Sequence, residues 1–166
     1  HAGIRLNRST YIVVNTGTDI NLPDPNINEH SVLTRFDEAT RRFTVLRTIS
    51  SRPDGKFITT ALRQSGNDVY IFGLGAYRAS DVYLSVVGAG DFESGRGTRY
   101  FTGLVNGQPA WSTSEADAVP VVLDNPLNIP DHTPGIGNVS VIYSNELGLW
   151  LMTYDSGSSS PENRGF

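Results

Sequence analysis

Arg78, directly after Tyr77 and three residues before Asp81, carries the clearest chemical potential in this sequence. A guanidinium is a rigid fork of donors, suited to binding hydroxyl groups or to holding a carboxylate in its charged form. The competing reading is that Arg78 pairs with Asp81 and pins its own loop. Proton-transfer chemistry needs a carboxyl group in a particular environment, and Asp19, Asp24, Asp54, Asp81 and Asp155 are the carboxylates to weigh. None lies in a motif that marks it out, and Asp is favoured in turns for its own hydrogen bonding. Other chemistries find less support. His30 and His132, near Asp24 and Asp131, match no metal-ligand spacing, so no metal or other cofactor is expected. No serine sits in a Gly-x-Ser-x-Gly elbow. Gly73-Leu74-Gly75 leads through Tyr77-Arg78 to a strand pattern rather than a helix, which excludes a dinucleotide loop. Trp111 and Trp150 are candidate stacking platforms, although Trp150 lies in an apolar run and reads as core.

These residues must be positioned by strands. The chain has 166 residues, enough for one domain with its own core. Hydrophobic residues make up 38% and charged residues 18%, which places it among globular rather than disordered chains. Net charge is −4 and Arg41-Arg42 is the only basic doublet, so a nucleic-acid partner is not expected. No apolar run approaches the roughly 20 residues that span a membrane, and no membrane partner is expected. There are no cysteines, which excludes thiol catalysis and a disulfide scaffold. The chain begins at His1 rather than Met, so the N-terminus is expected to have been cut or trimmed, and any targeting segment would be gone with it. The sequons Asn7-Arg8-Ser9 and Asn138-Val139-Ser140 add weak support for secretion, with Asn7 the expected glycan site.

Short strands joined by tight turns recur along the chain. We divide it into units 1–54, 55–123 and 135–166, with a Pro/Asn/Gly-rich linker at 124–134. The first unit reads as strands at 2–6, 11–15, 31–36 and 43–49, the last alternating Phe43 and Val45 against Thr44. Pro53-Asp54-Gly55 then makes a turn, with Gly55 expected to supply a positive φ. The second unit reads as strands at 57–62, 69–72 and 82–87, then Tyr100-Phe101-Thr102-Gly103, the hairpin signal Asn106-Gly107, Trp111 and a last strand at 119–123. Residues 115–118 allow one helical turn. The third unit supplies two strands. The expected fold class is all-β, a partial propeller of about two complete blades and half of a third; the alternative is a β-sandwich with a similar strand count.

The order of motifs resembles a family of secreted five-bladed β-propellers catalogued as domain of unknown function 4185. The resemblance rests on Val69-Tyr70-Ile71-Phe72-Gly73 followed by Tyr77-Arg78-Ala79-Ser80-Asp81-Val82-Tyr83-Leu84. It rests also on Tyr100-Phe101-Thr102-Gly103 with Gly107-Gln108-Pro109-Ala110-Trp111-Ser112, and on Val139-Ser140-Val141 with Leu149-Trp150-Leu151-Met152-Thr153-Tyr154. Members are associated with endo-acting cleavage of D-arabinofuranose polymers, the arabinan of mycobacterial cell walls. The resemblance implies a glycoside hydrolase acting on an arabinan-like furanose polysaccharide. It also implies that this chain is the central portion, with a companion polypeptide segment completing the propeller. Open sheet edges and apolar faces would otherwise remain.

In propeller glycosidases the sugar site lies on the axis, at the end where each innermost strand begins. The resemblance therefore places His1, Asp19, Asp24, Tyr77, Arg78, Asp81, Asn138, Asp155 and Arg164 at the mouth. Hydrolysis there needs two carboxyl groups, roughly 5–5.5 Å apart for retention or ~6.5–9.5 Å for inversion. Asp19, Asp24, Asp81 and Asp155 are the catalytic candidates, and Tyr77, Arg78, Asn138 and His1 the substrate-binding ones. Asn138 is a departure: many relatives are expected to carry Glu there, and an amide transfers no catalytic proton. That departure supports the alternative of a non-catalytic carbohydrate-binding or structural propeller.

Overall fold

A computed structural model of the protein describes residues 2–17, 29–76, 78–122 and 136–156. Within these residues the chain is all-β, with two single 3-10 turns at Ala89–Asp91 and Glu115–Asp117. The first sheet is a meander of β1 (Ala2–Leu6), β2 (Ser9–Thr16), β3 (His30–Asp37) and β4 (Arg42–Ser51). Asn7 and Arg8 turn β1 into β2 with φ of 47° and 70°, the double left-handed turn that matches strand twist. The second sheet contains β5 (Thr59–Ser65), β6 (Asp68–Leu74), β7 (Val82–Gly88), β8 (Arg99–Val105) and β9 (Gln108–Ser112) in chain order. The short β10 (Pro120–Val122) pairs with the Val82-Tyr83 end of β7, while β8 pairs with the Ser85-Val86 end. The fourth position of this sheet is thus shared by two strands. The third sheet is the hairpin of β11 (Ile136–Ser144) and β12 (Leu149–Ser156).

The three sheets are all built from antiparallel neighbours. The single helical turn expected at 115–118 is present at Glu115–Asp117. Asn106-Gly107 forms the β8–β9 hairpin, with φ of 52° and 75°. The linker at 124–134 lies outside the described residues. The first strands of the sheets are neighbours, β1 beside β5 and β5 beside β11. Among the described residues the sheets do not close into a barrel.

The second sheet is buried on both faces, and β6 shows how. Val69 and Ile71 enter a core shared with Leu6, Tyr11, Val13 and Leu33 of the first sheet. Phe72 and Leu74 enter another, shared with Ile136, Val139 and Val141 of the third. Strict alternation thus sends consecutive apolar residues to different partners. Phe57, fully buried in the first core, sits on the segment that carries the chain between sheets. Ser31 Oγ donates to the Phe57 carbonyl at 2.6 Å, and Ile58 N–H donates to Leu74 O at 2.8 Å.

Polar groups tie the same joint. Glu115 Oε1 accepts from Ser50 Oγ and from the Lys56 backbone N–H, both at 2.6 Å. Lys56 Nζ in turn donates to the carbonyls of Ala116 and Ala118. On the other side, the connection between β7 and β8 reaches back onto the first sheet. Phe92 is buried edge-on against the Tyr11 ring, and Glu93 Oε1 accepts from Tyr11 Oη at 2.7 Å and Arg35 Nη1 at 2.8 Å.

Two local expectations need correction. Phe43, Thr44 and Val45 do not alternate in burial; Phe43 and Val45 are well exposed along with Thr44. β4 is the outer strand of its sheet, and its register against β3 shifts twice, so the two-residue period is broken by bulges. Gly55 is not required for a positive φ. A Cβ there would collide with Ser50 Oγ and the Ser51 carbonyl, so close backbone approach is the reason for glycine.

Glu93 makes stability depend on pH. The Tyr11 hydroxyl, and after it Arg35, hold the Glu93 carboxyl below the usual carboxylate range. A lowered folded-state pKa contributes stability above the ordinary Glu value of about 4.3, lost as pH falls through the folded value. Burial raises the phenols of Tyr11, Tyr83 and Tyr100, with negative charge from Glu93, Asp81 and Glu115 adding to it. Their contribution is complete below about pH 10 and declines as pH rises through the raised values. Melting temperature against pH should therefore fall at both ends, and Glu93→Gln should flatten the acid side. Identical acid limbs in the two proteins would show that this clamp contributes nothing.

Candidate functional site

In the first two sheets the second strand ends, and the third begins, at the end where the first strand begins. Arg78 belongs to such a connection, between β6 and β7. Ser80 shapes it: its Oγ accepts from Gly75 N–H at 2.9 Å and donates to the Asp81 carbonyl at 2.9 Å. Ala79 N–H donates to Ala76 O at 3.2 Å. Arg78 itself holds φ of 55°, a left-handed conformation uncommon outside glycine and asparagine. Gly75 packs so closely on the Gly55 carbonyl that a Cβ would come to 2.9 Å from it.

The partner of Arg78 comes from the third sheet. Asp155 Oδ2 lies 3.5 Å from Arg78 Nη2, across 77 positions of sequence. In β11 and β12, Ile136 pairs with Ser156 and Val139 with Tyr154. Gly137 and Asn138 therefore face the single residue Asp155, a β-bulge. The Asp155 carboxyl folds over Gly137, where a Cβ would overlap its Oδ1 and Cγ. Glycine at 137 is what gives the carboxyl room to lie towards Arg78.

Both partners keep over two-fifths of their side chains exposed, at 45% and 43%. A pair this wet adds about 1 kcal/mol or less to stability. Its value is geometric: it holds a carboxylate of the third sheet against a loop of the second, with over two-fifths of its side chain in solvent. Asn138 is exposed on the bulge, inside β11. Asp81 is half-buried at the other end of the Arg78 connection, just before β7.

The structure thus brings Arg78 to Asp155, sets Asn138 opposite Asp155, and keeps Asp81 on the Arg78 loop. Tyr77, His1, Asp19, Asp24 and Arg164 lie outside the described residues, as do His132 and Asp131. Asp54 is exposed in the turn between the first two sheets. His30 Nδ1 lies 3.0 Å from Ser51 Oγ, and no group of three metal-ligating side chains occurs among the described residues. Trp150 is not a fully buried core residue: it is 40% exposed and packs on Tyr70, Phe72 and Tyr143. Trp111 stacks edge-on with Phe101 and takes the Arg99 guanidinium over its ring.

Sequence reasoning missed two residues that shape the site, Gly137 and Ser80. The available signal at 137 was a glycine just ahead of an apolar run, which marks a bulge or a close approach. No helix of the described residues is long and apolar enough to cross a membrane. No curated protein matches the sequence. A family model does match, over residues 2–162, nearly the whole chain and every strand named above. The chain belongs to the family described as Domain of unknown function (DUF4185).

Proposed function

We propose that this chain supplies the middle blades of a β-propeller glycoside hydrolase acting on an arabinan-like furanose polysaccharide outside the cell. The observation that carries the reading is the Arg78–Asp155 pair, formed between two sheets at the end where their first strands begin. Three antiparallel sheets side by side through their first strands are the arrangement that consecutive blades require. In this reading Asp155 is one of the two carboxyl groups that acid/base cleavage demands. Arg78 orients it and binds sugar hydroxyls. The second carboxyl comes from Asp81, from Asp19 or Asp24, or from a companion segment that completes the ring. An N-glycan at Asn7 fits the same extracellular setting, since Asn7 occupies an exposed hairpin turn.

A specific observation favours a second reading, carbohydrate binding without cleavage. The exposed side chain beside Asp155 on the bulge is the amide of Asn138, which can hydrogen-bond a sugar but cannot transfer a catalytic proton. One experiment separates the two. The complete protein bearing this chain is incubated with arabinan, and new reducing ends are counted alongside equilibrium binding. Release of oligosaccharides supports the hydrolase, and binding without release supports the second reading. Neither binding nor release on arabinan and related furanose glycans would overturn both.

A further inference from the structure

A second groove runs between the free edges of β1 and β5. It encloses about 410 Å³ and is lined by Gly3, Ile4, Arg5, Leu62, Arg63 and Gln64. This volume falls within the roughly 300–1,000 Å³ of small-molecule sites. Its charge is unlike that of the molecule as a whole. The chain carries a net −4, yet the groove has two guanidinium groups and no carboxylate among its lining residues. Neither cation has a close ion-pair partner among the described residues. Arg5 has Glu38 at 4.0 Å, with both side chains 68% exposed, a contact too wet and long to hold it. Arg63 makes no ion pair with any described residue. Gln64 is oriented by donating its amide to the Gly66 carbonyl at 3.1 Å, which leaves its side-chain oxygen available.

We propose that this groove binds a small anionic sugar, one whose carboxylate or phosphate is held between Arg5 and Arg63. Planar guanidinium forks match an oxyanion in two-point fashion, and two of them on facing strands favour a charged group over a neutral ring. Gln64 supplies a hydrogen-bond partner for a hydroxyl, while Ile4 and Leu62 pack against the first core and leave the groove mainly polar. Gly3 adds no side chain, which keeps the β1 side open. The site is distinct from the Arg78–Asp155 pair, and it does not depend on that pair being catalytic.

The test is titration of the full chain with glucuronate, glucose 6-phosphate and neutral glucose, followed by calorimetry and by amide NMR. Saturable binding of one or both anions is expected, with shifts at Gly3 and Gln64 but not at Gly137, and none for glucose. Which anion binds identifies the carboxylate or the phosphate as the natural group. Arg63→Gln should weaken binding about tenfold, the loss of one charge-assisted contact of roughly 1.4 kcal/mol. Arg5→Gln/Arg63→Gln should abolish it. Both side chains are solvent-exposed, so an unchanged melting temperature verifies the variants. If a variant melts early, the wild-type NMR map decides alone. Absence of anion binding, equal binding of glucose, or full retention in the double variant would overturn the proposal.

Discussion

Gly73→Ala is expected to cost about 3 kcal/mol of stability, at the top of the usual range for overpacking. Gly73 has an ordinary φ, so backbone strain is not the cause. A methyl group on it would overlap the Phe57 ring and approach the Lys56 carbonyl to 2.7 Å. Phe57 cannot move aside, being fully buried and packed on Tyr100 at 5.5 Å between ring centres. Its backbone is also held, since Phe57 O accepts from Ser31 and the next N–H donates to Leu74. The clash therefore falls on the joint between the first and second sheets. A double-mutant cycle makes the argument specific. Phe57→Ala alone should cost about 3–5 kcal/mol through its cavity. In that background Gly73→Ala should cost less, because the overlap with the ring is gone and only the approach to the Lys56 carbonyl remains. Denaturant unfolding of the four proteins gives the coupling energy. Additive losses within about 0.5 kcal/mol would sink the account.

That joint also shows where sequence reading succeeds and where it stops. Strands and hairpins rest on local rules. Asn106-Gly107 specifies a two-residue turn through the dihedrals its residues tolerate, and that turn is present. β2 and β6 were legible because alternation survives wherever a strand lies between neighbours without a bulge. β4 escaped because two register shifts against β3 reset its period. Residues 88–97 fall between the strands expected at 82–87 and at Tyr100-Phe101-Thr102-Gly103. Nothing local in them says that Phe92 will be buried against Tyr11, or that Glu93 will accept from both Tyr11 and Arg35. Those contacts link positions 58 to 82 residues apart and exist only once the sheets have met. The same holds for the candidate site. Arg78 was legible as a residue type in a tight loop. Its partner was not, because Asp155 looks like any strand-end Asp until the bulge opposite gives its carboxyl room to lie towards Arg78.

Asp155→Asn should separate the role of this carboxyl from its shape. The substitution keeps the volume and leaves Gly137 uncovered by any extra atom, so the fold should melt within a degree or two of the original. The ion pair it removes is half-exposed and contributes little to stability. If Asp155 transfers a proton in hydrolysis, the rate on arabinan should fall by about 10²–10⁴ with glycan affinity nearly unchanged. Gly137→Ala should behave differently. The added methyl takes the space of the Asp155 carboxyl, so it costs about 1–3 kcal/mol and also displaces the carboxylate from Arg78. Activity should then be lost although every charged group is still present. Arg78→Met should fall between them, raising KM through lost hydroxyl contacts and lowering kcat through a carboxylate no longer held in place. This ordering is expected if glycine makes room for the carboxyl, Asp155 carries out the proton transfer and Arg78 aims it. An Asp155→Asn protein that retains its rate within threefold would remove Asp155 from the chemistry. The bulge would then be a binding feature, with Asn138 and Arg78 as its contacts.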